Sequence, residues 1–152
     1  MKNHKNPLLA LLFLVLPLLL PSVSQAEQFQ DFGDYVVHFN ALPTSFLDPA
    51  VAKNYRIVRS KNRAMLNVTV LKKVMGTAGT PVRATVTASA KNLTDQLKDI
   101  EIKEVREGSA IYYIGEVRIA NDETLDFTVN ATPDGESEPR VVRFRQKFFT
   151  DF

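Results

Sequence analysis

The chain has 152 residues, 45% hydrophobic and 24% charged, with no cysteine, no tryptophan and only two histidines. Lacking cysteine, it has no disulfide, thiol redox centre, thiolate metal site or c-type haem attachment. Its formal net charge of +2 is too small for a nucleic-acid binder, whose affinity comes chiefly from neutralising phosphates.

The first element is an export signal over residues 1–26. Lys2, His4 and Lys5 give a positive start, and a leucine-rich apolar run extends from Leu8 to Leu20. Ser24-Gln25-Ala26 then places small residues at the third and first positions before a cut at Glu27, where signal peptidase excludes bulk. The run falls short of the roughly 20 residues that cross about 30 Å of hydrocarbon. A cleaved leader is therefore expected, with no membrane span afterwards and a periplasmic destination. Cleavage also removes Lys2 and Lys5, so the 19 basic residues become 17 against 17 acidic ones. The remaining residues, 27–152, suit a single domain with one core.

Within that domain the apolar residues recur with period two. Tyr35–Ala41 reads as the first strand, with Tyr35, Val37 and Phe39 on one face and Val36, His38 and Asn40 on the other. Asp48 followed by Pro49 marks a helix start, and Ala50 to Tyr55 gives one short helical turn. A stretch reading mostly as loop follows, containing Lys53, Arg56, Arg59, Lys61 and Arg63. Ala64–Val70 turns Ala64, Leu66, Val68 and Val70 inward. Val82–Lys91 alternates fully, with Val82, Ala84, Val86, Ala88 and Ala90 against Arg83, Thr85, Thr87, Ser89 and Lys91. Ile100–Val105 is a further strand whose apolar phase slips, which predicts a bulge or strand end near Glu104. Glu107-Gly108 fits a tight hairpin leading into Ala110–Ile119. Thr124–Ala131 points Leu125, Phe127, Val129 and Ala131 to one side. Pro133-Asp134-Gly135 marks a turn before Val141–Phe149.

Alternation of this kind belongs to antiparallel sheets with one wet face. About seven short strands in this length predict an all-β, immunoglobulin-like sandwich, with a small barrel as the alternative because the pattern does not fix closure.

The segments Gln28-Phe29-Gln30-Asp31-Phe32-Gly33-Asp34-Tyr35, His38-Phe39-Asn40-Ala41 and Ser60-Lys61-Asn62-Arg63-Ala64 resemble a family of small exported bacterial proteins, domain of unknown function 4426. The resemblance spans residues 27–152. It implies a single envelope-located domain and supplies no catalytic or binding residues.

Chemistry-bearing constellations are sparse. His38 is the only histidine beyond the leader, too few for a triad or zinc site of the usual kind. With Met65 and Met75 it offers a soft donor set of the sort that suits Cu(I). The alternative is a hydrogen-bonded strand histidine and two gap-filling methionines. Asn121-Asp122-Glu123 with Asp126, and Asp134 with Glu136 and Glu138, offer oxygen ligands but lack EF-hand spacing. Turns use the same residues for backbone reasons. Neither a metal site nor a cofactor is expected, and no carboxylate pair stands out for glycosidase chemistry.

Charge is unevenly distributed. Between residues 49 and 94 there are nine basic residues and no acidic one, whereas residues 95–139 hold twelve acidic and four basic. Lys53, Arg56, Arg59, Lys61 and Arg63 are the densest basic group and the expected binding residues, facing an envelope protein or an anionic envelope component. Arg143, Arg145 and Lys147 add a positive face on the last strand. The competing account pairs these basic residues with acidic neighbours across strands. The expected function is a non-enzymatic binding module, with a metal- or small-ligand-binding protein as the alternative.

Overall fold

The structure, a computed structural model, describes residues 28–151; the leader assigned to residues 1–26 lies outside the described residues. The described residues form ten strands: β1 Gln28–Asp31, β2 Tyr35–Pro43, β3 Arg63–Lys72, β4 Thr80–Pro81, β5 Ala84–Asn92, β6 Leu97–Ile100, β7 Ile102–Glu107, β8 Ala110–Arg118, β9 Glu123–Pro133 and β10 Arg140–Phe148. A 3-10 turn at Thr44–Phe46 and the six-residue helix α1, Pro49–Asn54, separate β2 from β3.

Two antiparallel sheets result. The first runs β1-β2-β3-β8-β7, with β4 also paired to β3, and the second runs β10-β9-β5-β6. The sheets have separate edges, so the sandwich is realised and the barrel is not. Six of the seven strands read from the sequence are present, and the seventh, Ile100–Val105, is divided between β6 and β7. The count rises to ten through β1, β4 and β6, which span four, two and four residues and are too short to display a period.

The core lies between the sheets and follows the alternation. Val37, Ala64, Leu66, Val68, Leu125, Val129, Ala131 and Val142 are fully enclosed. Phe144 stacks on Phe127 with centroids 4.7 Å apart and 5° between planes, and it meets Phe39 of the first sheet at 4.7 Å. Such aromatic contacts add to burial. Two tyrosines tie the sheets at the rim. The Tyr113 hydroxyl accepts from the Ala84 amide at 2.7 Å, and the Tyr35 hydroxyl donates to Glu136 at 3.2 Å. Burial pushes the Tyr113 phenol above its ordinary value.

Of the bulge or strand end expected near Glu104, the structure has a strand end, three residues earlier. The break falls at Glu101, where the chain leaves β6 in the second sheet and enters β7 in the first. Ile100 and Ile102 both pack on the main core, whereas Val105 faces the outer side of the first sheet, against a second cluster. Gly115 lies opposite Ile102 and makes room for this crossing. A Cβ there would overlap Ile100 Cγ2 and stand 2.9 Å from Ile102 Cδ1 and 3.0 Å from the Glu101 carbonyl oxygen.

Candidate functional site

The basic segment is not a loose loop: it is pinned across the outer face of the first sheet. Asp48 caps α1, its Oδ1 accepting from the Ala50 amide at 2.8 Å. The helix ends in a paired closure, with Arg56 N–H donating to the Lys53 carbonyl and Ile57 N–H to the Ala52 carbonyl at 2.8 Å. This is the 6→1 and 5→2 pattern that terminates many helices, with an apolar contact between the flanking residues. That contact is present, since Ala52 and Ile57 are buried with Met65 and Ile114 on the sheet. Glycine usually fills the left-handed position; here Arg56 occupies it, at φ 56°.

Beyond the helix, Thr44 fastens the segment. Its fully buried hydroxyl lies 2.9 Å from the Val58 carbonyl and 3.0 Å from the Ser60 carbonyl, and it accepts from the Ser60 amide at 2.9 Å. Burial, with a hydrogen bond to Glu107, pushes the Tyr55 phenol up to about 12.

The five nominated cations divide accordingly. Arg59 donates to the Ser45 carbonyl at 2.8 Å, and Arg63 meets Glu116 at 3.4 Å. Lys53, Arg56 and Lys61 are exposed and make no ion pair among the described residues. A cavity of about 240 Å³ opens beside the strap, with Arg56, Arg63 and Lys103 among its walls and Ile57, Val105 and Ile114 at its base. Lys103 was not singled out by sequence, because its place beside the strap depends on how β7 pairs with β8.

The other constellations do not assemble. His38 sits opposite Thr69 on β3 and 5.6 Å from the Phe29 ring. Met65 is four residues further along β3, roughly 13 Å at strand rise, and Met75 is fully exposed on the β3–β4 loop. The copper set is therefore not brought together. Among the described residues no group of three or more histidines and carboxylates is placed to hold a metal. Four of the six carboxylates considered for calcium have other partners. Asp126 is held by both ends of the Arg145 fork at 2.6 and 2.8 Å, Asp122 by Lys147, Glu123 by Lys98 and Glu136 by Arg140. Arg145 and Lys147 of the last strand follow the pairing account, with Arg145 directly opposite Asp126, whereas Arg143 stands opposite Thr128 and makes no ion pair among the described residues.

These features define a small all-β sandwich whose first sheet carries a pinned cationic strap on its outer face. The chain matches Domain of unknown function (DUF4426) over residues 29–151 and belongs to that family. It is similar to the crystal structure of a DUF4426 family protein from Pseudomonas aeruginosa PAO1, with 40% identity and a TM-score of 0.72. That match covers 85% of this chain and 99% of the other. It also shares its fold with FetP of uropathogenic E. coli strain F11, at 12% identity and a TM-score of 0.57, covering 82% of this chain and 94% of that one. None of the curated proteins matches. No helix among the described residues is long and apolar enough to cross a membrane.

Proposed function

We propose that the chain is a non-enzymatic binding domain of the bacterial periplasm that engages an anionic envelope partner through Lys53, Arg56 and Lys61. One observation carries the reading: a set of exposed cations, held by backbone hydrogen bonds, without counter-ions among the described residues. Solvated charge is the ordinary fate of surface lysines, but a floppy solvated segment does not need the Thr44 clamp and helix closure that hold this one. Arg56 adds to the argument, because a non-glycine residue held in a left-handed conformation costs free energy and such residues cluster at functional positions. The leader over residues 1–26 and the family resemblance support the envelope location.

The test is site-specific crosslinking in intact cells. A photoreactive amino acid at position 58, beside the strap, is expected to give a discrete adduct. Combined Lys53→Gln, Arg56→Gln and Lys61→Gln changes should abolish that adduct with little change in melting temperature, since exposed charges contribute about 0–1 kcal/mol. Arg59 and Arg63 are left in place because both hold structural bonds. An undiminished adduct from the triple variant would refute the proposal.

A further inference from the structure

Where β3 begins and β8 ends, Arg63 and Arg118 stand directly opposite one another in the antiparallel ladder. Residues so paired have Cβ atoms about 4.5–5.5 Å apart, and like charges in that position repel. Glu116 relieves only Arg63, through a single contact of 3.4 Å. Arg118 makes no ion pair among the described residues. The nearby Lys98 is spoken for, donating to the Arg118 carbonyl at 2.9 Å and to Glu123 at 2.6 Å. A concavity of about 330 Å³ opens here, lined by Ser60, Asn62, Arg63, Arg118 and Ile119. No carboxylate lines it.

The remaining polar groups are set as donors. Ser60 Oγ accepts from the Asn62 amide at 3.1 Å, which leaves its hydroxyl proton available. The Asn62 side chain makes no hydrogen bond among the described residues and offers two N–H donors. Two guanidinium forks, a hydroxyl and a carboxamide match the oxygens of a tetrahedral oxyanion, for which forked, charge-assisted donors are well suited.

We infer that Arg63, Arg118, Ser60 and Asn62 form a phosphate-binding subsite, taking either free phosphate or the phosphate of an anionic lipid headgroup. The bound anion supplies the missing counter-charge between the opposed arginines. The inference deepens the envelope-binding reading, on which it rests for the presence of an anionic partner.

The experiment uses the processed protein in two arms. In the first, inorganic phosphate is titrated and followed by amide and arginine side-chain NMR, with chloride at matched ionic strength as control. In the second, sedimentation with phosphatidylglycerol vesicles is compared with phosphatidylcholine vesicles. Saturable binding in at least one arm is expected, with the phosphate shifts centred on residues 60–63 and 118. Arg118→Gln should weaken it at least tenfold. Without phosphate at low salt, Arg118→Gln should melt no lower than the parent, because it removes a repulsion. Arg118→Lys keeps the charge but loses the fork, and should recover only part of the binding. Saturation in the first arm identifies free phosphate as a ligand; saturation in the second alone identifies the headgroup. An equal response to chloride, or equal binding by Arg118→Gln and the parent, overturns the proposal. The Lys53, Arg56 and Lys61 triple variant should bind phosphate normally, so failure of the strap and failure of this subsite are read separately.

Discussion

At Thr44 a hydroxyl closed off from solvent accepts one amide hydrogen and faces two carbonyls, joining the end of β2 to the segment that leads into β3. Valine has the same shape without the hydroxyl, so Thr44→Val leaves the Ser60 amide and a carbonyl without this partner. A buried polar group stripped of its partner costs about 1–3 kcal/mol. Chemical denaturation should register that loss, while Thr44→Ser should retain most of the stability. Equal losses in the two variants would mean that packing of the methyl group, not the hydrogen bonds, holds the strap. Arg56 poses the opposite case. Its side chain makes no ion pair among the described residues and its backbone sits at φ 56°, where glycine meets no Cβ penalty. Arg56→Gly should therefore raise stability, by up to about 1 kcal/mol, while diminishing the envelope adduct. A fall in stability would show that the arginine side chain, not the backbone turn, secures the closure.

Among the elements, β8 is the most constrained, because its central residues serve two faces at once. Tyr113, Gly115 and Val117 point toward the core, whereas Ile114 and Glu116 face the strap. Gly115→Ala would drive a methyl group into the crossing between β6 and β7. Overpacking of this kind typically costs about 1–3 kcal/mol, and here the obstruction includes the Glu101 backbone as well as isoleucine side chains. A melting curve for the variant that overlays the parent would contradict the close crossing. On β9 the alternation itself is testable. Phe127 is 1% exposed, so Phe127→Ala should cost about 3–5 kcal/mol. Thr128→Ala, on the other face, should stay within about 0.5 kcal/mol as surface changes usually do. β5 and β9 were legible because each has one wet face over a long run. β6 and β7 were not, because a two-residue apolar spacing at Ile100 and Ile102 continues unbroken across a change of sheet. Sequence also could not show that a second apolar cluster, including Val105, Met65 and Ile114, lies outside the main core; that depends on α1 folding back over β3 and β8.

Over the whole molecule, basic and acidic segments come together in pairs rather than standing as separate fields. Arg145 with Asp126, Lys147 with Asp122, Lys98 with Glu123 and Arg140 with Glu136 absorb much of the acidic half. Among the described residues the cations left without an ion pair include Lys53, Arg56, Arg59 and Lys61 on the strap and Arg118 at the phosphate subsite, with Lys72, Lys103 and Arg143 elsewhere on the sheets. Counting basic residues along the chain therefore found the strap but missed Arg118. Arg118 becomes informative only when the register sets it against Arg63, and sequence spacing carries no trace of that register. Pairing also fixes how the molecule should respond to acid. A hydrogen bond from Arg145 holds the Asp126 carboxyl below its ordinary 3.8, one from Lys73 does the same for Asp31, and one from Arg106 lowers Glu104. Each carboxyl binds its proton more weakly folded than unfolded. The stability they contribute is thus fully present above the unfolded carboxylate range near pH 4 and is lost as the pH falls through their folded values. Melting temperature should accordingly be level from pH 7 to about 5 and decline below about 4. The pairs are exposed, so the decline should be modest and should flatten at about 1 M salt, where the screening length falls to about 3 Å. Arg145→Gln removes the chief cause of the Asp126 shift, and its melting temperature should begin slightly lower and fall less steeply with acid. If the parent and Arg145→Gln trace parallel curves between pH 5 and 2.5, Asp126 is not linked to folding, and the acid response must come from the other carboxylates.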